Sequence, residues 1–270
     1  MSAPRIPALV LTSTLAAAAV LLLAGPGAPA ARSGAPIQGD ADKTDVVSEE
    51  VRLGGDERDR YFRISRPDAK APRKGFATLV ILPGGDGSAD FRPFCENIFR
   101  QHCGDDWVAA QVVAVQWRDD QAVIWPTQKL KVDGMKRSTE ERVDAVLRDL
   151  AKWKRIDPKR VYVLAWSSSG PAAYAMATTR GSKPSGYLVA MSVFRPAWHG
   201  DLGRTRGKSF YLLQSRGDEI TKFHHAELAE KSLRKSKARV ELVEYEGGHG
   251  WHGTSFVSIG KGLRWLEERR

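Results

Sequence analysis

Short, continuously apolar segments alternate with helical patterns over most of this sequence. The apolar segments have the length of strands, and most of the later ones lack polar alternation, so we expect them to be buried on both faces of a sheet. Seven strands are predicted, at residues 60–64, 77–82, 108–115, 161–165, 187–191, 210–214 and 240–245. This repeated order predicts an α/β fold with a mostly parallel central sheet and helices on both faces.

Helical patterns fill the intervals between the strands. They cover residues 91–101, 138–154, 172–179, 226–236 and 256–269. The second is the clearest, because Ser138 and Glu141 are spaced as a capping box ahead of an apolar helical stripe. The sequence has no internal repeat and no second zone of composition, which predicts one domain over residues 51–270.

The N-terminal segment has the pattern of an export signal. Arg5 precedes an apolar run over residues 8–24, and an Ala-Pro-Ala motif follows at residues 28–30. We predict a secretory signal peptide over residues 1–30, and therefore a periplasmic or extracellular protein. A retained membrane anchor is the alternative, since the apolar run of about 17 residues is close to the shortest membrane span. The polar, small residues that follow predict a disordered lead-in over residues 31–50.

The charge of the chain limits its partners. Lys and Arg total 42 against 32 Asp and Glu, which gives a net charge of +10. The basic residues are scattered rather than gathered into a stripe with interleaved aromatic residues, so we expect a solvated basic surface and no nucleic-acid partner. We also expect no stable membrane insertion once the signal peptide is removed, and the oligomeric state stays open.

Cys95 and Cys103 are the only cysteines of the chain. Export would permit a disulfide between them. A continuous helix through this segment would separate the two residues by about 12 Å along its axis, which is too far for a disulfide. The pairing of these cysteines therefore stays open at this point.

Three consecutive serines separate a predicted strand from a predicted helix in the stretch VYVLAWSSSGPAAY. A sharp strand-to-helix turn of this kind is a nucleophile elbow, usually written G-x-S-x-G, which exposes a serine above the sheet edge. Reading A-W-S-S-S places small residues two positions before and two positions after Ser167, at Ala165 and Ser169. Reading W-S-S-S-G around Ser168 instead puts the bulky Trp166 at the first of these small positions. We therefore predict Ser167 as the nucleophile, and we expect Ser169 to be present because the turn needs a small residue. A serine that only caps the helix is the alternative.

A serine nucleophile needs a histidine base and a carboxylate that orients the histidine. Asp218 follows the predicted strand 210–214, and His249 lies in a glycine-rich loop after the last predicted strand. Both positions lie at the sheet edge to which the serine turn also belongs. We predict Asp218 and His249 as the acid and the base, with His252 as the alternative base, although Asp218 could equally cap the helix that follows it.

The loop PGGDG follows the predicted strand 77–82. Glycines let backbone N–H groups approach a substrate closely, as the stabilisation of an oxyanion requires. We predict that the N–H groups of Gly85 or Asp86, together with that of Ser168, form the oxyanion hole. A phosphate-binding loop is the alternative, but the lysine and the serine or threonine of a P-loop are missing.

Two tryptophans lie near the predicted site. Trp125 belongs to the long connection 118–137, close to the carboxyl edge of the sheet where α/β folds bind ligands. Trp166 directly precedes the predicted nucleophile. We predict that both line the substrate site, while a surface loop with a half-buried tryptophan is the alternative for Trp125.

The segments LPGGDG, DPKRVYVLAWSSSGPAAYA, SRGDEI and GGHGW together resemble the α/β-hydrolase superfamily. They are most similar to exported bacterial esterases of the phospholipase/carboxylesterase and polyhydroxybutyrate-depolymerase-like types. The resemblance covers about residues 75–265 and implies the α/β-hydrolase fold, a Ser-Asp-His triad, an oxyanion hole from the first loop and no cofactor or metal. The chain departs from the usual elbow at Ala165 and Ser169, which stand where the motif has glycines.

We therefore predict a secreted serine hydrolase that acts as a carboxylesterase. Its substrates would be small or polymeric esters with short or medium acyl groups. No large insertion separates the predicted strands 187–191 and 210–214, so we expect no large lid over the site. Two alternatives stay open: a serine peptidase of the prolyl-oligopeptidase-like type, and a catalytically silent binding protein on the same fold.

Overall fold

A computed structural model describes residues 45–54 and 56–268. The predicted signal peptide and residues 31–44 of the predicted lead-in lie outside the described residues. The described residues belong to one compact unit. Within that described part of the chain, none of the helices combines the length and the apolar character needed to cross a bilayer.

Eight strands form a single central sheet. They are β1 (Val47–Arg52), β2 (Arg60–Ser65), β3 (Phe76–Leu82), β4 (Trp107–Val112), β5 (Ile156–Trp166), β6 (Gly186–Ala190), β7 (Ser209–Gln214) and β8 (Arg239–Glu244). Their order in the sheet is β1-β2-β4-β3-β5-β6-β7-β8. The pairs β1–β2 and β2–β4 are antiparallel and the remaining pairs are parallel, which confirms the predicted mostly parallel sheet.

Strand β1 was not predicted, and it corrects the predicted end of the disordered lead-in. Its sequence VSEEVR holds only two apolar residues, so it carries little of the signal of a buried strand. Instead its glutamates pair across the sheet edge, with Glu50 3.4 Å from Arg60 and Glu49 3.5 Å from Arg63. Such cross-strand pairs stabilise an edge strand without a continuous apolar run. Residues 47–50 therefore belong to the sheet.

Five α-helices flank the sheet within the described residues. They are α1 (Arg92–His102), α2 (Thr139–Trp153), α3 (Gly170–Thr178), α4 (His224–Lys235) and α5 (Thr254–Glu267). Helix α2 starts with the predicted capping box: Glu141 N–H donates to Ser138 Oγ, and Ser138 N–H donates to the Glu141 carboxylate at 2.8 Å. Every predicted helix corresponds to one of these five.

Successive residues of the central strands face opposite sides of the sheet. On β5, one set of side chains packs with α2, α3 and α4, namely Val161, Val163 and Ala165. The alternate set packs with α1 and α5, namely Tyr162, Leu164 and Trp166. Burial on both faces explains why the sequence of this strand is continuously apolar. The end of β5 therefore directs Trp166 toward the α1/α5 side, just before the serine turn.

The helices and connections decide the pairing of the two cysteines and test the predicted absence of a large lid. Cys95 and Cys103 are both buried, and both are free. They do not form a disulfide because α1 continues to His102 and keeps the two thiols apart. The connection between β6 and β7 holds only two short 3₁₀ helices, Pro196–Trp198 and Leu202–Thr205, so the predicted absence of a large lid holds for this connection.

Candidate active site

Ser167 lies at the turn between β5 and α3. Its φ is +54°, in the left-handed region that residues other than glycine rarely adopt. Such strain persists only where surrounding contacts fix it, and it is concentrated at functional sites. One of these contacts comes from Ser192, whose Oγ donates to the carbonyl oxygen of Ser167 at 2.7 Å. The structure therefore places Ser167 at the tip of the turn, in the register A-W-S-S-S.

Gly170, which follows the three serines, has no room for a side chain. A Cβ atom at this position would lie 1.9 Å from Ser192 Oγ, an impossible contact. The close approach follows from the hydrogen bond between Ser192 and the turn. Ser169, predicted to be present because the turn needs a small residue, is fully buried, and the structure adds a second steric requirement at Gly170.

Ser169 is fully buried, and its Oγ lies within hydrogen-bond distance of three backbone groups, which are the Leu82 carbonyl and the N–H and carbonyl of Trp166. Its Oγ donates to the carbonyl oxygen of Leu82, at the end of β3, at 2.6 Å. The same oxygen accepts from the N–H of Trp166, at the end of β5, at 3.0 Å. The hydroxyl therefore ties the end of β3 to the end of β5.

We expect Ser169→Ala to lower the free energy of unfolding by about 1–3 kcal/mol, because two buried backbone groups lose their hydroxyl partner. Urea denaturation of the purified variant measures this loss. Ser168→Ala is the matched control, since it removes a hydroxyl from the preceding residue, which is only half-buried. Equal losses in the two variants would contradict the bridging role of Ser169.

The structure brings Ser167, Asp218 and His249 together from three separate loops. His249 Nε2 lies 3.0 Å from Ser167 Oγ, and His249 Nδ1 lies 2.9 Å from Asp218 Oδ2. Since a carboxylate only accepts hydrogen bonds, the neutral imidazole carries its proton on Nδ1 and leaves Nε2 free to accept from the serine hydroxyl. The alternative base, His252, is exposed, and its ring packs against Gly250.

Asp218 is held by a network of donors and is 1% exposed. Its Oδ1 accepts from the N–H groups of Ile220 at 2.9 Å and Thr221 at 2.7 Å. Its Oδ2 accepts from Thr221 Oγ1 at 2.6 Å and from Gln214 Nε2 at 3.0 Å, besides His249. Asp218 thus closes the turn Asp218–Thr221 and contacts the histidine. It does not cap the following helix, the alternative considered from the sequence, because α4 begins only at His224 and has no side-chain cap.

Burial alone would raise the pKa of the Asp218 carboxyl. The hydrogen bonds donated by the Thr221 side chain and backbone and by His249 outweigh burial and hold this pKa below its ordinary value. The carboxylate is therefore ionised at neutral pH, as the orientation of a histidine base requires.

The predicted oxyanion loop lies directly beside the serine turn. Gly87 N–H donates to the carbonyl oxygen of Gly84 at 2.9 Å, which forms a tight turn with Gly85 and Asp86 at its centre. Ser168 Oγ donates to the carbonyl oxygen of Gly85 at 2.7 Å and fixes this turn to the elbow. The two central residues are exposed. The three predicted oxyanion donors therefore belong to two backbone segments in contact with each other.

The predicted substrate-lining role of Trp125 needs correction. Its side chain is 2% exposed, and its Nε1 donates to the carbonyl oxygen of Pro83 at 3.1 Å. The ring also packs against Gly87, where a Cβ atom would lie 2.7 Å from it. Trp125 therefore supports the turn Gly84–Gly87 from within the core. Trp166 is also mostly buried, at 5% exposed, beneath other aromatic rings.

A segment that was not predicted from the sequence links the serine turn to the histidine loop. Met191 directly follows β6, has a φ of +41° and is 1% exposed. Its Sδ accepts from the N–H of Gly250, the residue after His249, at 3.2 Å. Ser192, the next residue, holds the carbonyl of the serine turn. Neither residue stands in a recognisable motif, so only the tertiary contacts reveal their positioning role.

Comparisons with solved structures identify the fold. An α/β-hydrolase enzyme from a Medee basin deep-sea metagenome library superimposes with a TM-score of 0.62 at 13% identity, over 83% of this chain and 98% of that one. A putative dienelactone hydrolase from Klebsiella pneumoniae subsp. pneumoniae gives a TM-score of 0.63 at 12% identity, over 83% and 99%. The carboxylesterase of Bacillus cereus gives 0.56 at 15% identity, over 79% and 95%.

The chain therefore has the α/β-hydrolase fold, as its sequence motifs predicted. No protein-family model and no curated protein sequence matches it. Among the described residues, no group of three or more His, Cys, Asp or Glu side chains could hold a metal ion. The arrangement of a strained serine, a histidine and a buried carboxylate can supply a nucleophile, a base and the group that orients the base.

Proposed function

We propose that the chain is a serine hydrolase of the carboxylesterase type, with Ser167, His249 and Asp218 as its triad. The observation that carries the proposal is the strained Ser167, whose Oγ lies 3.0 Å from His249 Nε2. Esterases among the solved structures with this fold support the same class of reaction.

In the proposed reaction, Ser167 Oγ attacks the ester carbonyl carbon while its proton passes to His249 Nε2. The carbonyl oxygen becomes an oxyanion, which accepts hydrogen bonds from the N–H of Ser168 and that of Gly85 or Asp86. Collapse of this intermediate breaks the bond to the alcohol oxygen, and the alcohol leaves with the proton from His249. An acyl group then remains on the serine.

Water completes the proposed cycle. His249 Nε2 takes a proton from a water molecule, whose oxygen attacks the acyl carbon and forms a second oxyanion at the same donors. Ser167 Oγ leaves with the proton returned by His249, and the carboxylic acid is released. Throughout the cycle Asp218 holds the imidazole in one tautomer and stabilises its charged form.

The substrates are proposed to be soluble esters with short or medium acyl groups. The short connection between β6 and β7 supports an open site that needs no lipid interface. Ethyl acetate and ethyl butyrate should therefore turn over with ordinary saturation kinetics below their solubility limits. A rate that rises sharply only above the solubility limit would contradict this proposal.

A fluorophosphonate probe and a panel of peptide amides test the alternatives. We expect the probe to label Ser167, as read by mass spectrometry, and the esters to react while the amides do not. Turnover of amides but not of esters would instead indicate a peptidase. Absence of both labelling and turnover would indicate a binding protein on a hydrolase fold.

We further propose that the protein is exported, with residues 1–30 as a cleaved signal peptide. Arg5 and the apolar run over residues 8–24 support this location. The triad and the proposed oxyanion donors all lie beyond this segment, so the proposed chemistry is independent of where the protein acts.

A further inference from the structure

Five aromatic side chains form a continuous patch beside Ser167, on the side of the sheet covered by α1 and α5. We call it the aromatic patch; its members are Phe91, Phe94, Trp166, Trp251 and Phe256. The centroids of the contacting rings lie between 5.6 and 6.3 Å apart. The proposed steps of ester hydrolysis use none of these rings.

Two rings of the patch come from the segments that carry the reacting groups. Trp166 directly precedes Ser167, and Trp251 follows His249 by two residues. The centroids of these two indoles are 5.6 Å apart, with the planes at 78° to each other. The chain thus places aromatic surface next to both the nucleophile and its base.

The patch also contacts the proposed oxyanion turn. A Cβ atom at Gly85 would lie 3.4 Å from the Phe91 ring, which is ordinary van der Waals contact. A Cβ atom at Gly84 would lie 2.6 Å from the Trp166 indole, so only glycine permits the turn to pack this closely. Phe91 and Trp166 thus border the turn against which the proposed reaction places the ester carbonyl.

Burial differs between the members of the patch. Trp166 is 5% exposed and forms its base, whereas Phe91, Phe94, Trp251 and Phe256 are half-buried. Clustered aromatic rings that keep part of their surface open at the edge of a site are typical of ligand contact. Phe91 and Phe94 both contact Trp166 edge to face. A further aromatic ring can pack against these rings in the same geometry.

Charge narrows the class of group that this surface accepts. Asp86 lies in the oxyanion turn and Asp90 in the short 3₁₀ helix that leads to Phe91, and both residues are exposed. The exposed Arg92, which follows Phe91, is paired with Glu96 at 3.6 Å, so Asp86 and Asp90 disfavour an anionic substituent at this end of the patch. A neutral aromatic group satisfies both the ring geometry and the charge.

We propose that the aromatic patch binds an aryl group of the substrate, so that the enzyme acts on neutral esters with an aromatic acid or an aromatic alcohol. This proposal rests on the proposed ester hydrolysis at Ser167. Aromatic pairs gain interaction beyond the area that they bury, so we expect a preference of about threefold to tenfold for a phenyl over a cyclohexyl group.

Two matched pairs of esters test this preference and distinguish the source of the aryl group. Methyl phenylacetate against methyl cyclohexylacetate varies the acid, and benzyl acetate against cyclohexylmethyl acetate varies the alcohol. A pH-stat measures kcat/KM for each ester without a chromogenic group. We expect a phenyl preference in at least one pair, and the pair that shows it identifies the side of the ester that faces the patch.

Trp251→Leu and Phe94→Leu should reduce the phenyl-to-cyclohexyl ratio toward one. Trp265→Leu is the matched control, because Trp265 lies on α5 outside the patch and packs on Tyr211. It should leave both the ratio and the turnover of ethyl acetate as in the wild type. Circular dichroism and thermal unfolding of each variant identify any general loss of structure.

The outcomes separate this inference from the proposed function. Turnover of ethyl acetate with a ratio near one in both pairs overturns the aryl proposal and leaves the esterase proposal intact. A high phenyl-to-cyclohexyl ratio that is unchanged in both Trp251→Leu and Phe94→Leu also overturns the aryl proposal and leaves the esterase proposal intact. If the wild-type protein hydrolyses no ester at all, the proposed function itself is overturned, and the aryl proposal with it.

Discussion

Ser167→Ala is expected to reduce ester turnover by a factor on the order of 10⁴ or more, the loss typical of a deleted triad nucleophile. The substitution removes only the hydroxyl group, so the fold and the proposed oxyanion donors should stay in place. Removal of the Ser167 hydroxyl should also abolish fluorophosphonate labelling. Turnover of ethyl butyrate by the purified variant measures the loss, and circular dichroism checks the fold.

Ser168→Ala is the matched control for this experiment, since it removes the same atom one residue further along the chain. The variant keeps the backbone N–H proposed for the oxyanion hole and loses only the hydrogen bond to the Gly85 carbonyl. We expect turnover to fall by less than about tenfold, the equivalent of one ordinary hydrogen bond. An active Ser167→Ala together with an inactive Ser168→Ala would shift the nucleophile by one residue, and two active variants would exclude the triad.

Asp218→Asn is expected to reduce kcat by a factor on the order of 10⁴. An amide can donate where the carboxylate only accepts, so it would favour the tautomer of His249 with its proton on Nε2, where the ring can no longer accept from Ser167. Steady-state kinetics with ethyl butyrate give the loss. Glu219→Gln, which changes an exposed neighbouring carboxylate, should keep the wild-type kcat. A loss of less than tenfold in Asp218→Asn would contradict the role of Asp218.

The same variant should change the pH dependence of stability. The folded pKa of Asp218 lies below its unfolded value, so the unfolded state binds more protons in acid. The contribution of this carboxylate to stability is therefore complete above its unfolded pKa and is lost as pH falls through the folded pKa. Urea denaturation between about pH 5 and pH 3 should show a steeper loss for the wild type than for Asp218→Asn. Parallel curves would contradict the lowered pKa.

The fold was largely predictable because its signals are local. A continuously apolar strand such as β5 records burial on both faces, and a capping box marks the start of α2 within four residues. Strand β1 escaped prediction because it lies at the edge of the sheet, where its backbone pairs with β2 and few of its side chains are apolar. A sequence pattern does not show which residues of two strands lie opposite each other.

The order of Ser167, Asp218 and His249 could also be inferred from the sequence. Each follows a strand, and the carboxyl ends of parallel strands meet at one sheet edge, so three distant positions were expected near each other. Their mutual distances, 3.0 and 2.9 Å, depend on loop contacts that no local pattern encodes. Met191 is such a contact, since its thioether accepts an N–H from the histidine loop.

The sequence alone determined the α/β architecture, the turn that carries Ser167 and the chain order of the candidate triad, because periodicity and turn chemistry act over a few neighbouring residues. Tertiary structure alone decided that Ser169 bridges β3 and β5 and that Trp125 is buried beneath the turn Gly84–Gly87. These outcomes depend on which backbone groups come within hydrogen-bond distance after the chain folds. A residue's partner across the fold is fixed by packing, and packing is a property of the whole chain.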